Sequence, residues 1–231
     1  MAQLASRARK IVCIGRNYAD HITELSSARP KQPFFFLKPT TSLLSPGQGD
    51  ILRPKGVELH YEVELALVMG QRLRDLEESD EAKAMGAIKS YALTIDMTAR
   101  NVQNEAKKKG LPWSIAKGFD TFCPISNEIP KSRIPDPYDA QLYLSVNGEK
   151  RQEDSTALML FRIPRILSDI SKVMTLEEGD LVLTGTPKGV GQVKVGDKIQ
   201  AGIRIGGREI EEGRIDVGVA EKGGLYDFQE T

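Results

Sequence analysis

The size and punctuation of the apolar runs constrain this chain more than any other feature. Seven short β-favouring stretches are spread along its length: Ile11–Gly15, Phe34–Lys38, Glu62–Met69, Tyr91–Ile95, Leu142–Val146, Asp180–Thr184 and Lys198–Ile203. Runs of this length, stopped by Gly, Pro, Asn or Asp, favour strands over helices. Gly-Asp pairs feed three hydrophobic runs, at Gly49-Asp50, Gly179-Asp180 and Gly196-Asp197, where they supply turn chemistry. Asn147-Gly148, between Leu144-Ser145-Val146 and Glu149-Lys150-Arg151, predicts a tight hairpin, because both residues tolerate the left-handed dihedrals of a two-residue loop. The Gly-Asp spacing is too irregular for a repeat protein.

Helical signals are fewer. Thr98–Lys109 starts at a Thr, runs through good helix formers and stops at Gly110 with Pro112 beyond, which is sound helix punctuation. Leu73–Lys89 reads as one or two charged surface helices. Pro164–Thr175 sets Ile166, Leu167, Ile170, Val173 and Met174 at helical spacing behind an early Pro. No Gly/Ser/Pro-rich linker divides the chain. The expectation is an N-terminal tail over 1–10 and a single β-dominated α+β domain over 11–231, large enough to bury one core without staples.

Composition bounds the partners. Lys and Arg number 32 and Asp and Glu 32, so the net charge is zero, which removes the general attraction that nucleic-acid binders rely on. The purest apolar runs, Phe34–Leu37 and Leu65–Met69, fall far short of the ~20 residues that cross a bilayer. Cys13 and Cys123 make no disulfide framework and have no zinc-finger spacing, which suits a reducing compartment. Arg7, Arg9 and Lys10 with no acid before Asp20 faintly resemble a mitochondrial presequence. The first strand follows at once and leaves little room for cleavage. A soluble mitochondrial or cytoplasmic protein is therefore expected, with no clear cleavable presequence.

The chemistry is concentrated in a few segments. In His60-Tyr61-Glu62-Val63-Glu64-Leu65-Ala66-Leu67-Val68, strand alternation turns Glu62 and Glu64 the same way, opposite Tyr61, Val63, Leu65 and Leu67. Two carboxylates beside a core repel each other unless a cation offsets them, and hard dications prefer such oxygens; a solvated strand edge is the competing reading. Asp96, closing Ala92–Ile95, is either a helix cap or a third oxygen ligand. His21 and Glu24 are one helical turn apart, so the carboxylate could orient the imidazole as a general base, or the two could form a surface ion pair. Lys117, among apolar neighbours and beside Gly118, could face an oxyanion or could snorkel to water. The loop Thr184–Gly191 lacks phosphate-loop and dinucleotide spacing, yet its backbone N–H groups and the Thr186 hydroxyl could bind a carboxylate. Lys107-Lys108-Lys109 is most simply a solvated helix end.

Taken together, six blocks resemble the fumarylacetoacetate hydrolase family, above all its single-domain acylpyruvate hydrolase and oxaloacetate decarboxylase members. They are IGRNYADHITEL at 14–25, FFFLKPT at 34–40, HYEVELALVMG at 60–70, LTIDMTARNVQNEAKKKGLPWSIAKGFDTFCPI at 93–125, VNGEKRQ at 146–152 and LEEGDLVLTGTPKGVG at 176–191. The resemblance implies a β-roll of bent mixed sheets with a few short helices, paired as a homodimer. It implies Mg2+ or Mn2+ held by Glu62, Glu64 and Asp96, a catalytic pair His21 and Glu24, and an active-site Lys117. Arg16, Lys38, Arg100, Gln103 and Thr186 fall where members line the substrate pocket. Tyr61 stands where relatives often have a second His. The implied substrates are small 2-oxo or 1,3-dicarbonyl acids, undergoing acylpyruvate hydrolysis or oxaloacetate decarboxylation, with keto–enol tautomerisation as an alternative outcome at the same site. A non-enzymatic metal- or oxo-acid-binding scaffold is the alternative from another class.

Overall fold

Val63–Met69 is buried at all seven residues, which a strand achieves inside a sheet covered on both faces. The computed structural model describes residues 7–24 and 30–230, the side chains of His21, Ile22 and Thr23 excepted. Val63–Met69 pairs antiparallel with Ile88–Ile95 on one side and Leu181–Leu183 on the other. Leu181–Leu183 runs parallel to Ile11–Gly15, which pairs antiparallel with Phe34–Lys38; Ile129–Pro130 completes the six-stranded mixed sheet at the far edge. A second sheet orders Glu149–Ser155, Ala140–Val146, Lys198–Ile205, Ile215–Glu221 and Ile51–Arg53, with Arg208–Glu209 added at its rim. Leu59–Tyr61 joins Gly191–Val193 and Thr98–Ala99 in a three-stranded sheet, and Leu43–Leu44 pairs with Cys123–Pro124.

The first sheet has two unequal apolar faces. Val12, Ile14, Leu65 and Leu67 enter the main core with Leu142, Leu144 and Ile203 of the second sheet and Ile166, Leu167 and Ile170 of the helix Ile163–Val173. Ile11, Cys13, Ala66, Val68, Ala92, Leu181 and Leu183 form a smaller cluster on the other face. Glu64 shares that second face with Ala66 and Val68, because strand side chains alternate. The smaller cluster is thus the floor beside which the carboxylates lie.

Ile11–Gly15 and Phe34–Lys38 have the ends expected from the sequence, and the strand-dominated architecture with few short helices is as expected. The hairpin at Asn147-Gly148 is formed with φ 51° and 81°, both left-handed as its type requires. Three expectations are corrected. Thr98 does not open a helix: Thr98–Ala99 is a strand and the helix is Arg100–Lys109, closed by left-handed Gly110. The Thr98 hydroxyl is spent on Glu62 and not on a cap. Within Leu73–Lys89 the described helix is Glu81–Gly86, capped by Asp80 accepting from the Lys83 N–H; Leu73 and Leu76 are core residues, and Ile88 already belongs to a strand. Finally, the alternation read through His60–Val68 spans two strands, Leu59–Tyr61 and Val63–Met69, because the chain changes sheet at Glu62. At the other end, residues 7–10 are tied to the domain: the Leu181 N–H donates to Lys10 O at 3.2 Å, and Arg7 pairs with Glu128.

Candidate active site

Register brings three carboxylates together. Val63 pairs with Ile95, and the Asp96 N–H continues the ladder onto Glu62 O at 2.8 Å. Glu62 and Glu64, two apart, face the same side. One carboxylate oxygen from each of Glu62, Glu64 and Asp96 lies within 4.8 Å of the others. These residues are 7%, 2% and 0% exposed, so neither the solvated-edge reading of Glu62 and Glu64 nor the capping reading of Asp96 holds.

Three cations hold two of the acids. Lys38 Nζ donates to Asp96 Oδ1 at 2.7 Å and to Met97 O at 3.1 Å. Lys117 Nζ reaches Asp96 Oδ2 at 2.6 Å and Glu62 Oε2 at 3.1 Å. Arg100 donates to Glu62 Oε1 at 2.6 Å and to Gln103 Oε1 at 2.5 Å, and the Thr98 hydroxyl adds 2.9 Å to the same Glu62 oxygen. Lys117 is 1% exposed and so does not snorkel. Burial pushes its pKa down, but Asp96 and then Glu62 outweigh this and leave it raised. It stays an ammonium.

Glu64 is different. Its Oε2 accepts the Gly185 N–H at 2.7 Å, and among the described residues no lysine or arginine is paired with it. Burial first, then the charges of Asp96 and Glu62, hold its carboxyl well above the usual range. A buried carboxylate with one hydrogen bond and two acidic neighbours is costly as an anion. This donor set, all oxygen and short of positive charge at one member, fits a hard divalent cation. Glu62, Glu64 and Asp96 are the residues that could hold it.

The Gly-rich loop after Leu181–Leu183 closes the site. Gly185 has φ 97°, and a Cβ there would stand 2.7 Å from Asn17 Cβ, so glycine lets the loop approach and present its N–H. The Thr186 hydroxyl donates to Val63 O at 2.8 Å and accepts from Gln152 Nε2 at 2.9 Å. Its proton is therefore committed to the backbone between the two glutamates, and it is not free to donate to a substrate carboxylate. Further along, the Gly189 N–H is shared by both Glu24 oxygens at 3.1 and 3.2 Å, and Lys188 pairs with Asp20 at 2.8 Å. The loop thus joins the acid cluster to the helix Ala19–Glu24.

A narrow cavity of about 30 Å³ opens over the acids, and its walls include Arg16, Glu62, Glu64, Asp96, Arg100, Gln103, Lys107, Lys117 and Thr186. Lys38 supports Asp96 from within the fold. His21 lies on the helix Ala19–Glu24, and its side chain lies outside the described residues, as does any contact with Glu24. His60 is held at about 4 by burial and then by Arg100, so it is neutral at physiological pH. Two contributors were not singled out from the sequence. Gln152 closes the block VNGEKRQ at 146–152, but nothing in a polar strand marks it for burial. Lys107 reads from the sequence as part of a solvated helix end, although it follows Arg100 and Gln103 at a spacing that keeps all three on one helix face.

Over residues 10–215 the sequence matches the fumarylacetoacetate (FAA) hydrolase C-terminal family. The chain belongs to the fumarylacetoacetate hydrolase family. It is 56% identical over 198 residues to the mitochondrial oxaloacetate tautomerase of Schizosaccharomyces pombe, covering 86% of this chain and 90% of that protein. It is 50% identical over 196 residues to the mitochondrial oxaloacetate decarboxylase of Dictyostelium discoideum, covering 84% and 88%. Among solved structures, a yeast fumarylacetoacetate hydrolase family protein superposes with a TM-score of 0.89 at 41% identity, covering 100% of both chains. The fumarylpyruvate hydrolase of Pseudomonas aeruginosa, solved with Mn2+ and pyruvate, gives 0.82 at 32% identity, covering 93% and 91%. The protein is an enzyme of this family, and its buried acidic triad could bind a metal. Among the described residues no helix is long and apolar enough to cross a membrane.

Proposed function

We propose that this enzyme uses Mg2+ or Mn2+, held by Glu62, Glu64 and Asp96, to act on small 2-oxo acids through an enolate, with oxaloacetate keto–enol tautomerisation as its leading reaction. The observation that carries the reading is the buried Glu64 carboxylate, which among the described residues has no paired cation, beside two acids that have theirs. A divalent ion bound there would polarise the 2-oxo oxygen as a Lewis acid. Lys117, charged and fixed, faces the negative charge that develops when a proton leaves the carbon next to that carbonyl. Arg100 and Gln103 orient the acid end of the substrate, and His21, on the helix Ala19–Glu24, is the base in this reading. The His21 imidazole nitrogen takes the proton from carbon and returns it to oxygen, with Glu24 favouring its charged form.

The same enolate serves two further outcomes. Loss of CO2 from oxaloacetate needs no water, and the relative named as a decarboxylase at 50% identity supports it. Hydrolysis of an acylpyruvate needs His21 to deprotonate a water that attacks the distal carbonyl, and the fold shared with a fumarylpyruvate hydrolase supports that. A homodimer in mitochondria belongs to the same proposal; the mitochondrial relatives support the compartment.

Purified protein given Mg2+ or Mn2+ and offered enol-oxaloacetate, keto-oxaloacetate and acetylpyruvate tests it. Enol absorbance should decay fastest relative to the spontaneous rate, with pyruvate and CO2 appearing more slowly. Metal-independent turnover, or none of any substrate, overturns the reading. Light scattering in the same buffer reports the dimer.

A further inference from the structure

Two cations border the active-site cavity without an acid of their own. Arg16 and Lys107 both line it. Unlike Arg100 and Lys117, neither is paired with a carboxylate among the described residues. Each rests on an aromatic ring instead. The Arg16 guanidinium carbon is 5.6 Å from the Phe34 centroid, and Lys107 Nζ is 5.4 Å from the Trp113 centroid. Those rings meet edge-on with centroids 5.6 Å apart, so the two cations flank one aromatic pair.

The placement is built into the backbone. Arg16 follows the strand Ile11–Gly15 with φ 58°, a left-handed conformation that a non-glycine residue adopts only when its surroundings impose it. Gly15 permits the Phe34 ring to come close, since a Cβ there would lie 2.2 Å from it. On the facing helix, Arg100, Gln103 and Lys107 lie along one side, and seven residues of rise carry Lys107 about 10 Å outward from Arg100. Arg100 grips the acid cluster, and Lys107 stands at the mouth. Partial burial, then the nearby charges of Arg100 and Arg16, bring the Lys107 amine down to about 8. Positive charge is gathered on this side of the cavity, and among the described residues no carboxylate is paired with either cation, the converse of Glu64.

We propose that Arg16 and Lys107 form a second anion subsite that receives the distal carboxylate of the substrate, so that the enzyme selects 2-oxo acids carrying a carboxylate at both ends. The inference rests on the 2-oxo-acid reading above and deepens it. Cations seated on aromatic faces keep their stems ordered while leaving N–H donors for a carboxylate.

Calorimetry on the Mn2+-loaded enzyme with N-oxalylglycine and N-methyloxamate tests it, because the two share a chelating head and only the first has a distal carboxylate. The wild-type protein should prefer N-oxalylglycine, and Lys107→Met should reduce that preference about tenfold, as expected for one charge-assisted hydrogen bond. Lys107→Arg should restore it, and KM for oxaloacetate should rise in the Met variant and recover in the Arg variant. Wild-type protein binding both ligands equally, or an unchanged preference in Lys107→Met, overturns the subsite. Binding of neither ligand by the wild-type protein overturns the subsite together with the 2-oxo-acid reading, which separates the two failures.

Discussion

Val63 donates its backbone N–H to the Gln152 side-chain oxygen at 3.0 Å, and Val63 is the residue between Glu62 and Glu64. The Gln152 amide then donates to Thr186 Oγ1 and to Pro187 O, both at 2.9 Å, while Thr186 returns its proton to Val63 O at 2.8 Å. One amide from the second sheet therefore closes a ring of hydrogen bonds around the backbone that spaces two acids of the cluster. Gln152 is 1% exposed, so water does not replace it. Gln152→Met keeps roughly the volume and removes the ring, leaving the Val63 N–H buried and unpaired. The expected cost is about 1–3 kcal/mol in denaturant unfolding. Mn2+ affinity should fall about 10–100-fold, as for other residues that orient ligands without touching the ion. A stability loss with unchanged Mn2+ affinity would reduce Gln152 to a packing role.

The cations around the acid cluster make Glu62 and Glu64 unequal. Removing the Glu62 charge leaves Arg100 and part of Lys117 without a partner in a buried site, so Glu62→Gln should destabilise the metal-free protein by about 3–5 kcal/mol. Glu64→Gln replaces a carboxyl that burial and its acidic neighbours hold well above the usual range and that has no paired cation among the described residues, and it should leave the metal-free protein as stable as the wild type, or more so. Both variants should lose the stabilisation by Mn2+. For the wild type at about 100 times Kd this stabilisation is about 2.7 kcal/mol, a rise in Tm of about 5–10 °C for a chain of this size. Melting each protein in EDTA and in excess Mn2+ measures both effects. Equal metal-free losses for the two variants would contradict the charge assignment.

His21→Ala should separate the reactions that share the enolate. Hydrolysis of an acylpyruvate must activate water, and a general base contributes about 10²–10⁴-fold; decarboxylation of oxaloacetate has no such requirement. The variant should therefore lose acetylpyruvate turnover far more than pyruvate formation from oxaloacetate, and enol decay should drop with the proton-transfer step. Parallel losses in all three assays would remove His21 from proton transfer.

The acid cluster was legible in the sequence because strand period is a local rule: Glu62 and Glu64 had to share a side, and Asp96 ended a strand. The ring around Val63 was not, because Gln152 comes from another sheet, 89 residues away, and nothing local distinguishes a glutamine that will be buried. Thr98 misled for a related reason. Its hydroxyl had two available partners, the free N–H donors of a helix start and the acceptor oxygen of Glu62, and pairing between Leu59–Tyr61 and Thr98–Ala99 decided for Glu62. Distance also hid the surroundings of Lys107: Trp113 follows close by in the chain, but Arg16 and Phe34, which complete the group, come from separate segments.

Cys13 and Cys123 are free, and both are 0% exposed. Burial, followed by the Asp96 charge, raises the Cys13 thiol well above its ordinary value, and burial pushes Cys123 up to about 12. Reaction with disulfide reagents requires the thiolate. At pH 8 neither thiol should be labelled in the native protein, and both should react at once in guanidinium chloride. Rapid labelling of one thiol without denaturant would show that the small apolar cluster opens locally.

Glu128 fixes the start of the described chain to the first sheet. It pairs with Arg7, accepts the Ser90 hydroxyl at 2.6 Å and lies 3.7 Å from Lys89. Partial burial alone would raise its carboxyl, but the hydrogen bonds from Ser90 and Arg7 and the charges of Arg7 and Lys89 together bring it below the ordinary 4.5. A carboxylate depressed in the folded state contributes stability that is fully present above its unfolded pKa and is lost as pH falls through the folded value. Glu128→Gln should therefore lower Tm near neutrality and converge on the wild type in acid, once Glu128 is protonated in both states. The site is partly exposed, so the neutral-pH loss should be no more than about 1 kcal/mol, or roughly 2–4 °C. Melting curves for both proteins across this pH range check the sign. A gap that is constant with pH would assign the loss to packing and not to charge.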